Sequence, residues 1–186
     1  MRILMLCDRE STSGANLRDA FQNLLADAGH DVTAVTLNRE KIKPCLGCFG
    51  CWIKTPGRCV ITDDGANSIA EKQMRSDAVV LLSKITFGGF SADIKSYLDR
   101  SIQNILSDFE VYKGEMRHEM RYKRFPICIA VGYGDVSGTE QQTFAHLAQR
   151  NALNMRPADF LALTMQSSGT IEKAGHRILE LLEASA

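Results

Sequence analysis

Four cysteines lie close together near the middle of the chain, where they could bind a metal centre. Cys45, Cys48 and Cys51 are each separated by two residues, and Cys59 follows after seven more. Such gaps let three thiolates converge on one small inorganic centre, and a 4Fe–4S cluster takes four thiolates. We therefore predict these four residues as cluster ligands. Two alternatives remain open: structural zinc, whose ligands usually form two close pairs set well apart, and empty or redox-active thiols.

A second candidate site follows the first apolar segment of the chain. The loop from Asp8 to Asn16 is rich in hydroxyl groups, contains Gly14 and leads into a helix. Hydroxyls, backbone N–H groups and a helix N-terminus together suit a phosphate group, although a helix cap made of Ser and Asn would look much the same. The Gly-Lys-Ser/Thr ending of a nucleotide-binding P-loop is absent. The candidate phosphate-binding residues are Arg9, Ser11, Ser13, Gly14, Ala15 and Asn16.

Two further loops could hold a planar ring. In the first, aromatic residues flank a glycine pair, so that the backbone can approach a ligand closely and a ring can contact it. An ordinary tight turn before a helix is the alternative. The second loop only weakly matches a dinucleotide fingerprint. The candidate residues are Thr86, Phe87, Gly88 and Gly89 in the first loop and Gly132, Tyr133 and Gly134 in the second.

These loops require a scaffold of alternating strands and helices, which the hydrophobic periodicity predicts. Buried strands separated by amphipathic helices pair in parallel through right-handed crossovers. Five such units predict an α/β fold, a flavodoxin-like doubly wound parallel sheet of order 2-1-3-4-5 with helices on both faces. Strands are predicted at 2–7, 31–37, 77–83, 126–132 and 159–165, and helices at 14–28, 65–75, 91–105, 139–153 and 170–182.

We predict one domain over residues 1–186, interrupted by two unusual segments. The first is the cysteine loop at 44–64. The second is an arm at 107–125, which is long for a connection within such a fold and mixes aromatic with basic residues. The arm is either a solvated surface excursion or a segment that covers a cofactor or contacts another subunit.

The composition restricts the possible partners. Lys plus Arg equals Asp plus Glu at 22 each, which gives no support for a nucleic-acid or membrane partner. We find neither a transmembrane-length apolar run nor a signal peptide, so we expect a cytoplasmic protein. Cysteines there are more often thiols or metal ligands than disulfides. Cys7 and Cys128 lie in apolar strands and are predicted to be core residues.

Taken together, these motifs resemble those of the NADPH-dependent FMN reductase-like flavoproteins, and within them the iron–sulfur flavoprotein branch. The cysteine spacing is the most specific part of the resemblance. The motifs that carry it are Ser11-Thr12-Ser13-Gly14-Ala15-Asn16, Thr86-Phe87-Gly88-Gly89-Phe90-Ser91 with Lys95 and Leu98-Asp99-Arg100, and Cys45 to Cys59 with Lys54-Thr55-Pro56-Gly57 and Asp63-Asp64.

The resemblance implies noncovalent FMN, electron transfer from NAD(P)H to an acceptor, and a homo-oligomer, dimer or tetramer. By position, Ser11, Ser13, Gly14 and Asn16 would hold the FMN phosphate, and Thr86 to Gly89 with Tyr133 would line the isoalloxazine. The chemistry would take place on the flavin, so no catalytic acid or base is expected.

The chain also departs from the family pattern. Asp8-Arg9-Glu10 replaces a loop that is usually rich in Gly, Ser, Pro and Arg, and Lys84 stands where relatives often have Pro. Acids beside a phosphate weaken its binding unless they point away or pair with Arg9.

Two other classes of function stay open. One is a flavodoxin-like electron carrier without its own substrate, although such carriers tend to be strongly acidic and this chain is neutral. The other is a zinc-stabilised domain without enzymatic activity.

Overall fold

The fold was analysed in a computed structural model, which describes residues 1–9, 12–38, 42–166 and 171–185, without the side chains of Thr12 and Ser13. Strands and helices alternate along most of this length. The strands are β1 (Arg2–Cys7), β2 (Asp31–Thr36), β3 (Ala78–Lys84), β4 (Ile105–Tyr112), β5 (Glu115–Met120), β6 (Ile127–Tyr133) and β7 (Phe160–Met165). The helices are α1 (Thr12–Asp27), α2 (Gly50–Ile53), α3 (Ala66–Arg75), α4 (Ala92–Arg100), α5 (Gly138–Met155) and α6 (Ile171–Ala184).

Five strands form one parallel sheet in the order β2-β1-β3-β6-β7. This arrangement confirms the predicted flavodoxin-like order 2-1-3-4-5, because β4 and β5 lie outside the sheet. The central strands are apolar and buried from Ile3 to Cys7 in β1 and from Ala78 to Leu82 in β3, since helices cover both of their faces.

Alternate side chains of the central strands face opposite sides of the sheet and pack in different parts of the core. Ile3, Met5 and Cys7 of β1 pack with α1 and α6, whereas Leu4 and Leu6 pack with α3 and α4. The period of two along a strand therefore divides the core into two layers around one sheet. Cys7 and Cys128 pack in these layers, as predicted.

The arm predicted at 107–125 contains an antiparallel hairpin. Strands β4 and β5 pair with Phe109 opposite His118 and Val111 opposite Met116. Lys113 and Gly114 connect them with φ values of 49° and 78°, as a type I′ turn requires. The hairpin is tied to α5 by polar contacts, including Arg117 to Asn154 and Arg150 to Glu115.

The helix predicted at 91–105 is shorter than expected. Helix α4 ends at Arg100, a 3₁₀ turn covers Ser101–Asn104, and β4 begins at Ile105. The indole of Trp52 donates hydrogen bonds to the carbonyls of Ile102 and Ile105, at 3.0 and 3.1 Å. These bonds join the cysteine loop to the start of the hairpin.

Of the helices in the described ranges, none has the length and apolar character needed to cross a lipid bilayer.

Candidate flavin and cysteine sites

The first candidate site lies at the carboxyl edge of the sheet. In doubly wound sheets, ligands bind beyond the strand ends at the point where the strand order reverses. Here that point lies between β1 and β3, which are neighbours in the sheet and continue in opposite directions to β2 and β6. The loops after β1, β3 and β6 therefore meet there, as the sequence predicted.

Asp8, immediately after β1, points into the protein. Its carboxylate accepts hydrogen bonds from the Tyr133 hydroxyl at 2.7 Å and the Lys84 backbone N–H at 2.5 Å. Burial raises the pKa of Asp8, while these two hydrogen bonds oppose the rise. One of the two acids that weakened the case for a phosphate is therefore turned inward; the other, Glu10, lies outside the described residues.

The residues predicted to hold a phosphate surround the start of α1. Ser11 lies outside the described residues, as does the side chain of Ser13. Gly14 is buried, Ala15 is half-buried and Asn16 is exposed. The first turn of α1 contains no acidic residue, so nothing on the helix itself counters its positive end.

Arg9 joins neighbouring loops at this edge. Its backbone N–H donates to Asp93 at 3.1 Å, and its guanidinium donates to Asn38, just beyond β2, at 2.6 Å. The loops after β1 and β2 and the start of α4 are thereby connected.

The loop after β3 presents an aromatic ring to solvent. Thr86 and Gly89 exchange backbone hydrogen bonds of 3.0 and 2.9 Å around Phe87 and Gly88, whose φ values are 50° and 72°. This is a type I′ turn, which strongly prefers Asn, Asp or Gly at its first central position and Gly at its second. Phe87 is nevertheless 95% exposed. The second central position also requires glycine for space, because a Cβ at Gly88 would come within 2.8 Å of Thr143 on α5.

The residues predicted in the loop after β6 face the core. The ring of Tyr133 is buried, and its hydroxyl is bonded to Asp8, so any contact with a ligand would fall to its backbone. Gly132 packs tightly, since a Cβ there would lie 2.7 Å from Phe144. Gly134 adopts a φ of 141° and donates its N–H to Met165 at 3.1 Å.

The second candidate site is the cysteine loop, which follows β2 and so begins at the same edge. Cys51 and Cys59 are buried, Cys45 is half-buried and Cys48 is exposed, and all are free thiols. Burial raises the pKa of Cys51, and the nearby thiols of Cys59, Cys45 and Cys48 raise it further. The four predicted ligands thus influence one another electrostatically.

The four sulfurs are not arranged around a single ion. Within residues 1–9, 12–38, 42–166 and 171–185, no three His, Cys, Asp or Glu side chains converge as a metal-ion site would require. Structural zinc binds sulfur at about 2.3 Å, which would bring the sulfurs within about 4 Å of one another. An iron–sulfur cube binds each thiolate at a different iron and therefore holds the sulfurs farther apart.

Several polar contacts hold Cys59 in place. Its backbone N–H donates to Asn67 at 2.9 Å and to Gln103 at 3.0 Å, and its carbonyl accepts from the Asn67 amide at 3.0 Å. On the other side of the loop, the rings of Phe49 and Trp52 stack at 5.2 Å. Helix α3 and the 3₁₀ turn thus fix the Cys59 end of the loop.

Sequence reasoning missed the role of Asp64 and Arg100. An Asp-Asp pair just before a helix is typical of a helix cap, and the Oδ1 of Asp64 does accept from the Ala66 N–H at 3.0 Å. Its main partner, however, is the guanidinium of Arg100, with which it forms a buried ion pair. The available signal was the position of Arg100, which falls on the buried face of α4 with Ile94 and Tyr97.

The sequence is similar to a known family and to several of its members. Residues 1–170 match the family model described as NADPH-dependent FMN reductase. An iron–sulfur flavoprotein of Methanocaldococcus jannaschii is 37% identical over 85 residues, which are 46% of this chain and 42% of that protein. One of Archaeoglobus fulgidus is 27% identical over 135 residues, 69% of this chain and 63% of that protein. The matched segments therefore cover less than two thirds of the length of each of these relatives.

Solved structures share the fold at low sequence identity. An NAD(P)H:quinone oxidoreductase from Methanothermobacter marburgensis has a TM-score of 0.64 at 14% identity, covering 100% of this chain and 94% of that one. An azoreductase from Bacillus anthracis gives 0.63 at 12% identity, covering 100% and 96%. Flavodoxin 1 from Bacillus cereus gives 0.60 at 11%, covering 98% of each. The family model matches residues 1–170 of the chain, and the sheet has the flavodoxin-like order. The chain therefore belongs to the NADPH-dependent FMN reductase family.

Proposed function

We propose that this protein is a cytoplasmic FMN-dependent oxidoreductase that moves electrons from NAD(P)H through FMN to an acceptor. It would be of the flavin or quinone reductase type or of the iron–sulfur flavoprotein type. The observation that carries the proposal is Phe87, an exposed aromatic residue in a left-handed turn at the β1/β3 edge. Such a conformation costs a non-glycine residue roughly 1–2 kcal/mol, and the exposed ring gains no packing in return. A planar ligand would supply the missing contact.

The start of α1 suits the phosphate of FMN. Its first turn carries no acid, Arg9 adds a positive charge nearby, and Asp8 directs its carboxylate towards Tyr133 and Lys84. When bound, FMN supplies the capacity to accept a hydride and to release electrons singly. The residues of this chain would bind the phosphate, hold the ring and leave one of its faces open.

A 4Fe–4S cluster is the proposed occupant of the cysteine loop, held by Cys45, Cys48, Cys51 and Cys59. The set supplies four thiolates, and the relatives named above are iron–sulfur flavoproteins. Two of the cysteines are buried and Trp52 and Phe49 lie beside them, so solvent access would be limited. Zinc is the weaker alternative, because the described sulfurs are not gathered around one ion.

We also propose a homo-oligomer, formed through one face of the hairpin. Phe109, Val111 and Met116 share that face and are exposed, whereas Glu110 and Glu115 on the opposite face bind Arg156 and Arg150 of the α5 region. An exposed apolar face beside a satisfied polar one is typical of an interaction surface.

Anaerobic purification followed by flavin, iron and zinc analysis tests the proposal. We expect one FMN per chain, a broad iron–sulfur absorption and oxidation of NAD(P)H with an added quinone or flavin as acceptor. Bound FMN without NAD(P)H oxidation would favour an electron carrier. A colourless protein that contains zinc would contradict both redox functions.

A further inference from the structure

Arg100 and Asp64 form an ion pair that is closed off from solvent, with side-chain exposures of 0% and 2%. The guanidinium donates to both carboxylate oxygens of Asp64, at 2.7 and 3.2 Å. Taking two charges out of water is costly, and apolar side chains of similar volume often serve stability equally well. The presence of the pair beneath the cysteine loop therefore calls for a reason other than stability.

The pair connects the two ends of the cysteine loop. Arg100 donates to the carbonyls of Lys43, before Cys45, and Ile61, after Cys59, at 2.8 and 3.3 Å. Asp64 accepts the backbone N–H of Lys43 at 3.0 Å. The guanidinium is thereby fixed relative to both flanks of the loop.

One donor of Arg100 is left over. Its Nε–H is buried and has no hydrogen-bonded acceptor among the described residues. Gln103 accepts the backbone N–H of Cys59 at 3.0 Å and donates to the carbonyl of Arg100 at 3.2 Å, while the guanidinium donates to the carbonyl of Ile61, two residues after Cys59. These contacts hold Cys59 close to Arg100, which makes its sulfur the candidate acceptor for the buried Nε–H.

We propose that Arg100 is a positioning residue for the iron–sulfur centre, which donates a hydrogen bond to the sulfur of Cys59 and raises the reduction potential of the cluster. The inference rests on the proposed function, since it requires a cluster on the four cysteines. Hydrogen bonds to cysteine sulfur and local charge are two of the factors that set cluster potentials. A donor near the sulfur stabilises the more negative, reduced state. Asp64 keeps the guanidinium oriented for this contact.

The test uses the anaerobically purified protein and three variants. Arg100→Lys keeps the charge and removes the Nε–H. Arg100→Gln combined with Asp64→Asn replaces the buried ion pair by a neutral one. Arg75→Lys is the matched control, because Arg75 lies exposed on α3 and pairs with Glu71 at 2.6 Å. Iron per chain and the cluster midpoint, from a redox titration followed by EPR, are measured for each.

We expect both Arg100 variants to retain iron and to have lower midpoint potentials. The expected shift is a tenfold decrease in the ratio of reduced to oxidised cluster at a given potential, which equals about 59 mV for one electron. Arg75→Lys should match the parent. Unchanged midpoints in iron-containing Arg100 variants would overturn the proposal, and so would loss of iron from folded variants, which would make Arg100 an assembly residue.

A measurement on the parent protein tests the proposal even where the variants fail to fold. With ¹⁵N-labelled arginine, pulsed EPR of the reduced cluster should reveal coupling to one arginine nitrogen, and absence of coupling overturns the proposal. Parent protein that contains FMN but no iron would refute the proposed cluster and this inference with it. Iron without arginine coupling refutes only the role of Arg100.

Discussion

The hydroxyl of Tyr133 donates a hydrogen bond of 2.7 Å to Asp8, a residue 125 positions earlier in the chain. The bond joins the end of β6 to the end of β1, across β3, at the edge where the candidate flavin site lies. It also holds an acidic group away from the proposed phosphate position. We therefore expect this one hydrogen bond to contribute both to the stability of the fold and to the binding of a phosphate.

We predict that Tyr133→Phe destabilises the protein by about 1–3 kcal/mol at pH 7, because a buried carboxylate loses a charge-assisted hydrogen bond. Burial already raises the pKa of Asp8 above its ordinary 3.8, and the Tyr133 bond lowers it. The variant should raise this pKa further. Since the folded state then holds the proton more tightly than the unfolded state, stability falls as the pH rises above about 3.8.

Urea unfolding at about pH 4 and at pH 7 measures this effect. The loss caused by Tyr133→Phe should be larger at pH 7, where the unfolded state has ionised Asp8. Tyr97→Phe is the matched control, since the buried hydroxyl of Tyr97 binds the neutral amide of Gln73. The destabilisation caused by Tyr97→Phe should not change over this pH range. Equal pH dependence in the two variants would contradict the assignment.

We predict opposite effects of Phe87→Gly on stability and on flavin binding. Glycine relieves the left-handed conformation at φ 50°, so the free energy of unfolding should rise by about 1 kcal/mol. The loss of a ring contact worth about 0.5–1.5 kcal/mol should weaken FMN binding by about twofold to tenfold. Urea unfolding of the flavin-free protein and fluorescence titration with FMN measure the two effects.

Lys113→Gly provides the control for Phe87→Gly. Lys113 also has a positive φ, 49°, in the type I′ turn of the hairpin, away from the sheet edge. It should gain similar stability and bind FMN as the parent does. If Phe87→Gly also left FMN affinity unchanged, the turn after β3 would not contact the flavin.

The fold could be predicted from sequence because it depends on local patterns. Apolar runs and helical periodicity predicted the strands and helices, five alternating units indicated the doubly wound strand order, and the two-residue gaps predicted the cysteine ligand set. The long-range side-chain pairs could not be predicted in this way, since Asp8 and Tyr133, or Asp64 and Arg100, are brought together only by the tertiary fold. The hairpin has a weak local signal in the sequence: polar and apolar residues alternate over 108–111, and Lys113-Gly114 suits a tight turn.

We predict that Cys48→Ser removes iron but preserves the fold, because Cys48 is exposed and a serine hydroxyl is a poor substitute for a thiolate. Iron analysis and thermal unfolding measure the two outcomes. Cys128→Ala is the control: Cys128 is half-buried and packs against the core layer of α3 and α4, and desolvation of its thiol raises its pKa to about 12. It should lose some stability and keep its iron. Equal iron in Cys48→Ser and the parent would refute the ligand assignment.

The exposed face of the hairpin gives the last prediction, that Val111→Glu combined with Met116→Glu reduces the oligomer to a smaller species. The two residues lie opposite each other on β4 and β5 and are exposed, so two added carboxylates would repel a second copy without disturbing the core. Light scattering after gel filtration measures the mass. Leu147→Glu on α5, which also replaces an exposed apolar residue, is the control and should leave the mass unchanged. If the hairpin variant kept the parent mass while Leu147→Glu lowered it, α5 rather than the hairpin would form the interface, because a charge disrupts association only where the surface is buried between subunits.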